Sequence, residues 1–147
     1  MQQATSANAT GGWRRQMKAT PMVLTGRVLS ILFVLFILIA SVTPKLFFPD
    51  ANDAYLAQLG WAKQYMPLIA AIEIIGVVLY VIPRTSLLGA VWMTGLLGGA
   101  IATQLRVDNP LFSHLLFGVY LGLFMWGGLW LRDPQLRALF PIRRNKP

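Results

Sequence analysis

The chain has 147 residues, 56% of them hydrophobic and 12% charged, with a mean hydropathy of +0.58 and a formal net charge of +8. That balance excludes a soluble domain of ordinary composition and points to lipid as the solvent. The lack of any cysteine excludes disulfides, thiolate metal sites and thiol redox relays.

A bilayer core is about 30 Å thick and takes about 20 apolar residues of helix to cross, so the intervals between charges locate the spans. Residues 1–26, rich in Ala, Thr, Gln, Asn and Gly and carrying Arg14, Arg15 and Lys18, are expected to form a disordered basic tail. A four-span domain follows over residues 27–132. Its first span covers about 28–44 ("VLSILFVLFILIASVTP") and is expected to end early, at Pro44. The length of this run and the three spans behind it argue for a membrane helix over a cleaved signal peptide. A loop of roughly twenty residues leads from Pro44 to Lys63. The second span, about 64–83, has Pro67 in its first turn and Pro83 at its close. The third covers about 85–105 and the fourth about 109–131, the fourth opened by Pro110 and ended by Asp133 and Pro134. Residues 133–147 form a short basic tail. No segment alternates with period two, so a barrel is disfavoured. The expected fold is all-α: an antiparallel four-helix bundle integral to a membrane.

Lys and Arg near the helix ends set the orientation. The side shared by the N-terminus, the middle link and the C-terminus carries ten, against Lys45, Lys63 and Arg106 on the other. Both termini are therefore expected to be cytoplasmic, in a bacterial inner membrane. The same asymmetry accounts for the high pI through attraction to anionic lipid, without nucleic acid. Arg84, Arg106, Trp61 and Trp130 fall near the predicted interfaces, where they would serve as anchors.

Helices in lipid associate where small residues let backbones approach. Gly95 and Gly99 make one G-x-x-x-G in the third span, and Gly118 and Gly122 make another in the fourth, so both are expected to pack helices. A phosphate-binding loop is excluded because no strand-to-helix context surrounds them.

Glu73 is the informative residue. It lies ten residues past Lys63, about 15 Å at 1.5 Å per residue, in the middle of the membrane. An ionised carboxylate there costs about 2.5 kcal/mol or more, so it should face the bundle interior, protonated or paired. Lys45, Gln104, Thr103 and His114 lie at depths that bring one polar group from each span into the same half of the bundle. The expectation is an intramembrane polar pocket of Glu73, Lys45, Gln104, His114 and Thr103. A purely structural pairing of Glu73 with Lys45 stands beside it, as does a simple helix–helix hydrogen bond for His114. One His with one Glu is a poor zinc site, so no metal is expected.

The stretches "SVTPKLFFPD", "IEIIG" with Pro83-Arg84, "GGAIATQLR", "DNPLFSHLLF" and "GGLWLRDPQLRALFPIRR" recur in this order from about Val28 to Arg144. In that order and spacing the chain resembles the DoxX-like family of small bacterial inner-membrane proteins. The resemblance implies a four-helix membrane bundle. It also implies association with redox complexes, such as those passing electrons from sulfur compounds to quinone. By position, Lys45, Glu73 and the polar end of the third span are the family-like site. Gln104 stands where many members have His, and an amide cannot titrate.

The functional expectation is an accessory subunit of a quinone-linked or other membrane redox system, not a stand-alone enzyme. It would bind a quinone or other lipid-like molecule, and its partners would be the bilayer, a redox-enzyme subunit and further copies of itself. A proton-coupled transporter of a hydrophobic solute, with Glu73 as its protonation site, is the alternative from another class. A membrane scaffold whose buried polar groups only fix helix pairing is the third.

Overall fold

A computed structural model of the protein describes residues 20–48 and 50–139. Among them there is no strand, and four helices are long and apolar enough to cross a membrane: Pro21–Phe47, Lys63–Val81, Ser86–Arg106 and Leu111–Arg132. Of the tail expected over residues 1–26, residues 1–19 lie outside the described residues, as does the chain after residue 139. The first span begins at Pro21 and not beside Arg27, because a proline at the first helical position has its φ pre-set and no N–H to leave orphaned.

The buried positions show how the bundle closes. On the second span they include Met66, Ala70, Glu73, Val77 and Tyr80, and on the third Ser86, Ala90, Met93 and Leu97. Steps of three and four put each set on one stripe of its helix. The first span follows the same rule through Gly26, Ser30, Phe33 and Ile37, then steps by five to Val42. That break has a visible cause. Residues Ile37–Val42 form a π-helix, and Thr43 sends both its backbone N–H and its Oγ1 hydroxyl, the latter at 2.8 Å, to the carbonyl of Leu38. The wide turn sits just before Pro44, whose ring and missing N–H disrupt a regular ladder, and it absorbs the mismatch. The helix therefore runs through Pro44 to Phe47, correcting the expectation that Pro44 ends it.

Spans pack in a ring: first on fourth, fourth on third, third on second, and the π segment of the first back on the second. Large apolar side chains such as Ile39, Leu123 and Val91 are left on the outside, as hydrocarbon solvent requires. At the centre of the ring, near the Arg84 end, Tyr80 is fully buried. Its hydroxyl lies 2.9 Å from Ser30 Oγ and 2.8 Å from the Met125 carbonyl, while Ser30 Oγ also reaches the Gly26 carbonyl at 2.9 Å. Two hydroxyl protons thus serve three contacts that join spans one, two and four. Arg132 covers the Tyr80 ring at 4.7 Å and donates to the Tyr80 carbonyl at 2.9 Å. Trp92 and Trp126 tie the third span to its neighbours, donating to the Ile72 carbonyl and to Thr94 Oγ1.

Two short helices lie outside the spans. Asp53–Leu59 occupies the stretch expected as loop, ending at Gly60 in the left-handed region with φ of 69°. Pro134–Leu139 follows the fourth span where only a tail is expected. Asp133 Oδ1 caps it, accepting from the N–H groups of Gln135 and Leu136 at 2.8 and 3.2 Å.

The glycine expectation needs correction. A Cβ on Gly95 or Gly99 would meet nothing within 4 Å, and on Gly122 only Leu97 Cδ1 at 4.0 Å. Gly118 alone of the four is pressed close, against Ile101 of the third span. The closest helix contact is at Gly89 of the third span, where a Cβ would run into the backbone of Tyr80, while the first and fourth spans meet at Gly26 and Gly128, where a Cβ on either would stand 2.8–3.1 Å from the carbonyl oxygen of the other. These two lie on different spans, so no motif within one helix reveals them. Gly26→Val should therefore destabilise the bundle by about 1–3 kcal/mol through forced separation of the first and fourth spans. Gly95→Ala should change stability by less than about 0.5 kcal/mol. Reversible unfolding in mixed micelles measures both, and comparable losses would contradict the assigned packing.

Candidate functional site

Glu73 belongs to the buried stripe of the second span, and 5% of its surface is exposed. Ser41 and Lys45 sit four apart on the first span, so they share a face, and the π turn directs that face at Glu73. Lys45 Nζ donates to Glu73 Oε1 at 2.9 Å and to Oε2 at 3.1 Å. It also donates to Ser41 Oγ at 2.6 Å and to the Ser41 carbonyl at 3.1 Å. Ser41 Oγ in turn donates to Glu73 Oε1 at 2.8 Å. The result is a closed triangle: ammonium, hydroxyl and carboxylate, each bonded to the other two.

Electrostatically this arrangement meets the need of an acid in a hydrocarbon slab. The carboxylate accepts three hydrogen bonds and faces one compensating charge, which is what a desolvated ion needs to persist. The two ends differ in access, since the Glu73 side chain is 6% exposed and that of Lys45 22%.

The remaining expected pocket residues bond elsewhere. Gln104 donates to Tyr55 Oη at 2.7 Å and accepts from Asn109 Nδ2 at 2.5 Å, and Asn109 accepts from Gln58 at 3.2 Å. This chain of bonds pins the short helix Asp53–Leu59 onto the end of the third span. His114 is exposed, with Nδ1 2.8 Å from Ser113 Oγ and its ring 6.4 Å from that of Tyr55. Thr103 bonds back to the Gly99 carbonyl at 2.9 Å. No hydrogen bond joins these residues to Glu73, so the five do not form one pocket: Glu73 and Lys45 share one network, Gln104 belongs to another, and Thr103 and His114 each bond only within their own segment. Ser41 was not among the expected residues, although its i, i+4 spacing to Lys45 could have found it, whereas nothing in the sequence singles out Tyr55 or Asn109.

Of the expected anchors, Trp61 and Arg84 are exposed near helix ends, and Trp130 is half-buried and packs against the core. Arg106 donates to the Leu59 carbonyl. Among the described residues no group of three or more His, Asp or Glu is placed to hold a metal ion.

Four apolar spans around a buried charge network define a multi-pass membrane protein. The model of the DoxX-like family matches residues 28–128, and the chain belongs to that family. No curated protein and no solved structure matches the chain.

The unequal access within the pair has a measurable consequence. Lys45→Met strands a carboxylate with no route to water and should cost about 3–5 kcal/mol. Glu73→Gln should cost less, because the freed ammonium can extend to the interface. The double variant Lys45→Met/Glu73→Leu should recover most of the loss, as apolar replacement of a whole pair does. Unfolding of the three variants in mixed micelles tests this, and strictly additive losses would show that the pair is not coupled.

Proposed function

We propose that the chain is an accessory subunit of a quinone-linked membrane redox system, in which the Lys45–Ser41–Glu73 network handles protons beside a lipid-soluble electron carrier. Both termini face the cytoplasm of a bacterial cell in this proposal, following the ten-to-three bias of basic residues. The carrying observation is the relay itself: a buried carboxylate bonded through a hydroxyl, and directly, to an ammonium that is partly accessible. Reduction of a quinone takes up two protons with two electrons, so a titratable intramembrane network is the contribution that a subunit without a redox group of its own can make. The resemblance to redox-associated members of the family supports the same assignment.

One observation favours a second reading, in which the network only ties the first span to the second. Every buried side-chain nitrogen and oxygen among the described residues already has a partner. The two readings separate on the apolar double variant, which removes the protons while leaving the spans packed.

The test begins with tagged protein purified from native membranes in mild detergent, with co-purifying proteins identified against an unrelated four-helix control. A redox-enzyme subunit in stoichiometric amount is expected. In that complex, Lys45→Met/Glu73→Leu should lower quinone reduction at least about tenfold with assembly unchanged. Unchanged turnover would leave only the structural tie, and recovery of the protein alone would exclude a stable accessory subunit.

A further inference from the structure

The end of the bundle that carries Arg106 has an open groove lined by Gly60, Trp61, Ala102, Thr103 and Arg106. None of the Lys45, Ser41 and Glu73 side chains lines it, so it is distinct from the network described above.

The Arg106 guanidinium has five N–H donors, and among the described residues its polar partner is the Leu59 carbonyl. Among the described residues no carboxylate forms an ion pair with it: Asp50 and Asp53 are engaged by Lys63, and Asp108 does not reach it. The indole N–H of Trp61, 40% exposed, also has no acceptor among the described residues. Gly60 lets the guanidinium lie against bare backbone, since a Cβ there would stand 3.0 Å from Nη2. A groove that presents a guanidinium and an indole N–H at a membrane boundary complements a phosphodiester.

Size and surroundings narrow the occupant further. The groove holds about 270 Å³, just under the range of about 300–1,000 Å³ for enclosed small-molecule sites. It has room for a headgroup, and acyl chains must lie outside it. Below Ala102, on the same face of the third span, a Cβ on Gly99, Gly98 or Gly95 would meet nothing within 4 Å. From Arg106 to Gly95 the helix rises by about 16 Å, close to the half-thickness of the hydrocarbon core.

We propose that this groove holds one glycerophospholipid, its phosphodiester on Arg106 and Trp61 and one acyl chain against Gly95, Gly98, Gly99 and Ala102. The site does not depend on the redox assignment, and its test reads lipid retention alone.

The experiment is native mass spectrometry of the full chain released from mild detergent, with phosphatidylglycerol added back to delipidated protein. Wild type should retain one phospholipid per chain, which soluble glycerol phosphate fails to displace. Arg106→Gln should weaken retention about fivefold or more, from the loss of one interfacial charge. Arg106→Lys should restore most of it, and Arg84→Gln, at the other end of the bundle, should leave it unchanged. Gly99→Leu, whose Cβ would stand in open space, should weaken retention by filling the acyl track, and it decides the matter if Arg106→Gln fails to fold. Equal retention by wild type, Arg106→Gln and Gly99→Leu overturns the proposal. So does displacement by glycerol phosphate, which would mark a site for free phosphate.

Discussion

A carboxylate placed halfway through hydrocarbon must bring its own counter-charge, and much of the bundle is arranged around that need. Glu73 is held by Lys45 and Ser41, both on the first span, and they reach it because a π turn re-aims the last third of that helix. Had the helix stayed regular, its buried stripe would have continued at steps of three and four, and the residues facing the second span would have been different ones. Pro44, which makes a regular ladder impossible there, thus helps to set the register on which the ion pair depends.

The opposite half of the bundle is held by different means. There Gly26 and Gly128 bring two backbones together, and Tyr80 links three spans through one hydroxyl. Arg132 covers the Tyr80 ring and closes this layer towards the end of the helices. One half is therefore joined by close backbone contact and the hydroxyl of Tyr80, the other by a charged pair.

The number, order and apolar character of the spans were legible in the sequence, since charge-free intervals of about twenty residues match the thickness of a bilayer and exceed what a water-soluble core helix requires. Glu73 was legible for the same reason, as a charge that violates the pattern, and Lys45 followed from depth. Beyond that pair, most of what depends on contacts between spans escaped. Gly95 and Gly99 carry the spacing of a packing motif, yet face away from the rest of the chain, while Gly26 and Gly128 pack without any motif. Tyr55 and Asn109 lie in connecting segments, where no periodicity marks a residue that will bond Gln104. Pro44 was misleading because a helix breaker and a helix bulge share one sequence signal.

The order in which the ion pair is made along the chain has its own consequence. Lys45 precedes Glu73, so by the time the acid leaves the ribosome its partner already stands at the end of the first span. Alone, the second span carries a charge that costs about 2.5–3.5 kcal/mol at the centre of a bilayer. Delivered beside the first, it enters as one half of a neutral hairpin. The two helices are in this sense a unit of membrane insertion as well as of structure, and the acid is tolerated because of what was synthesised before it.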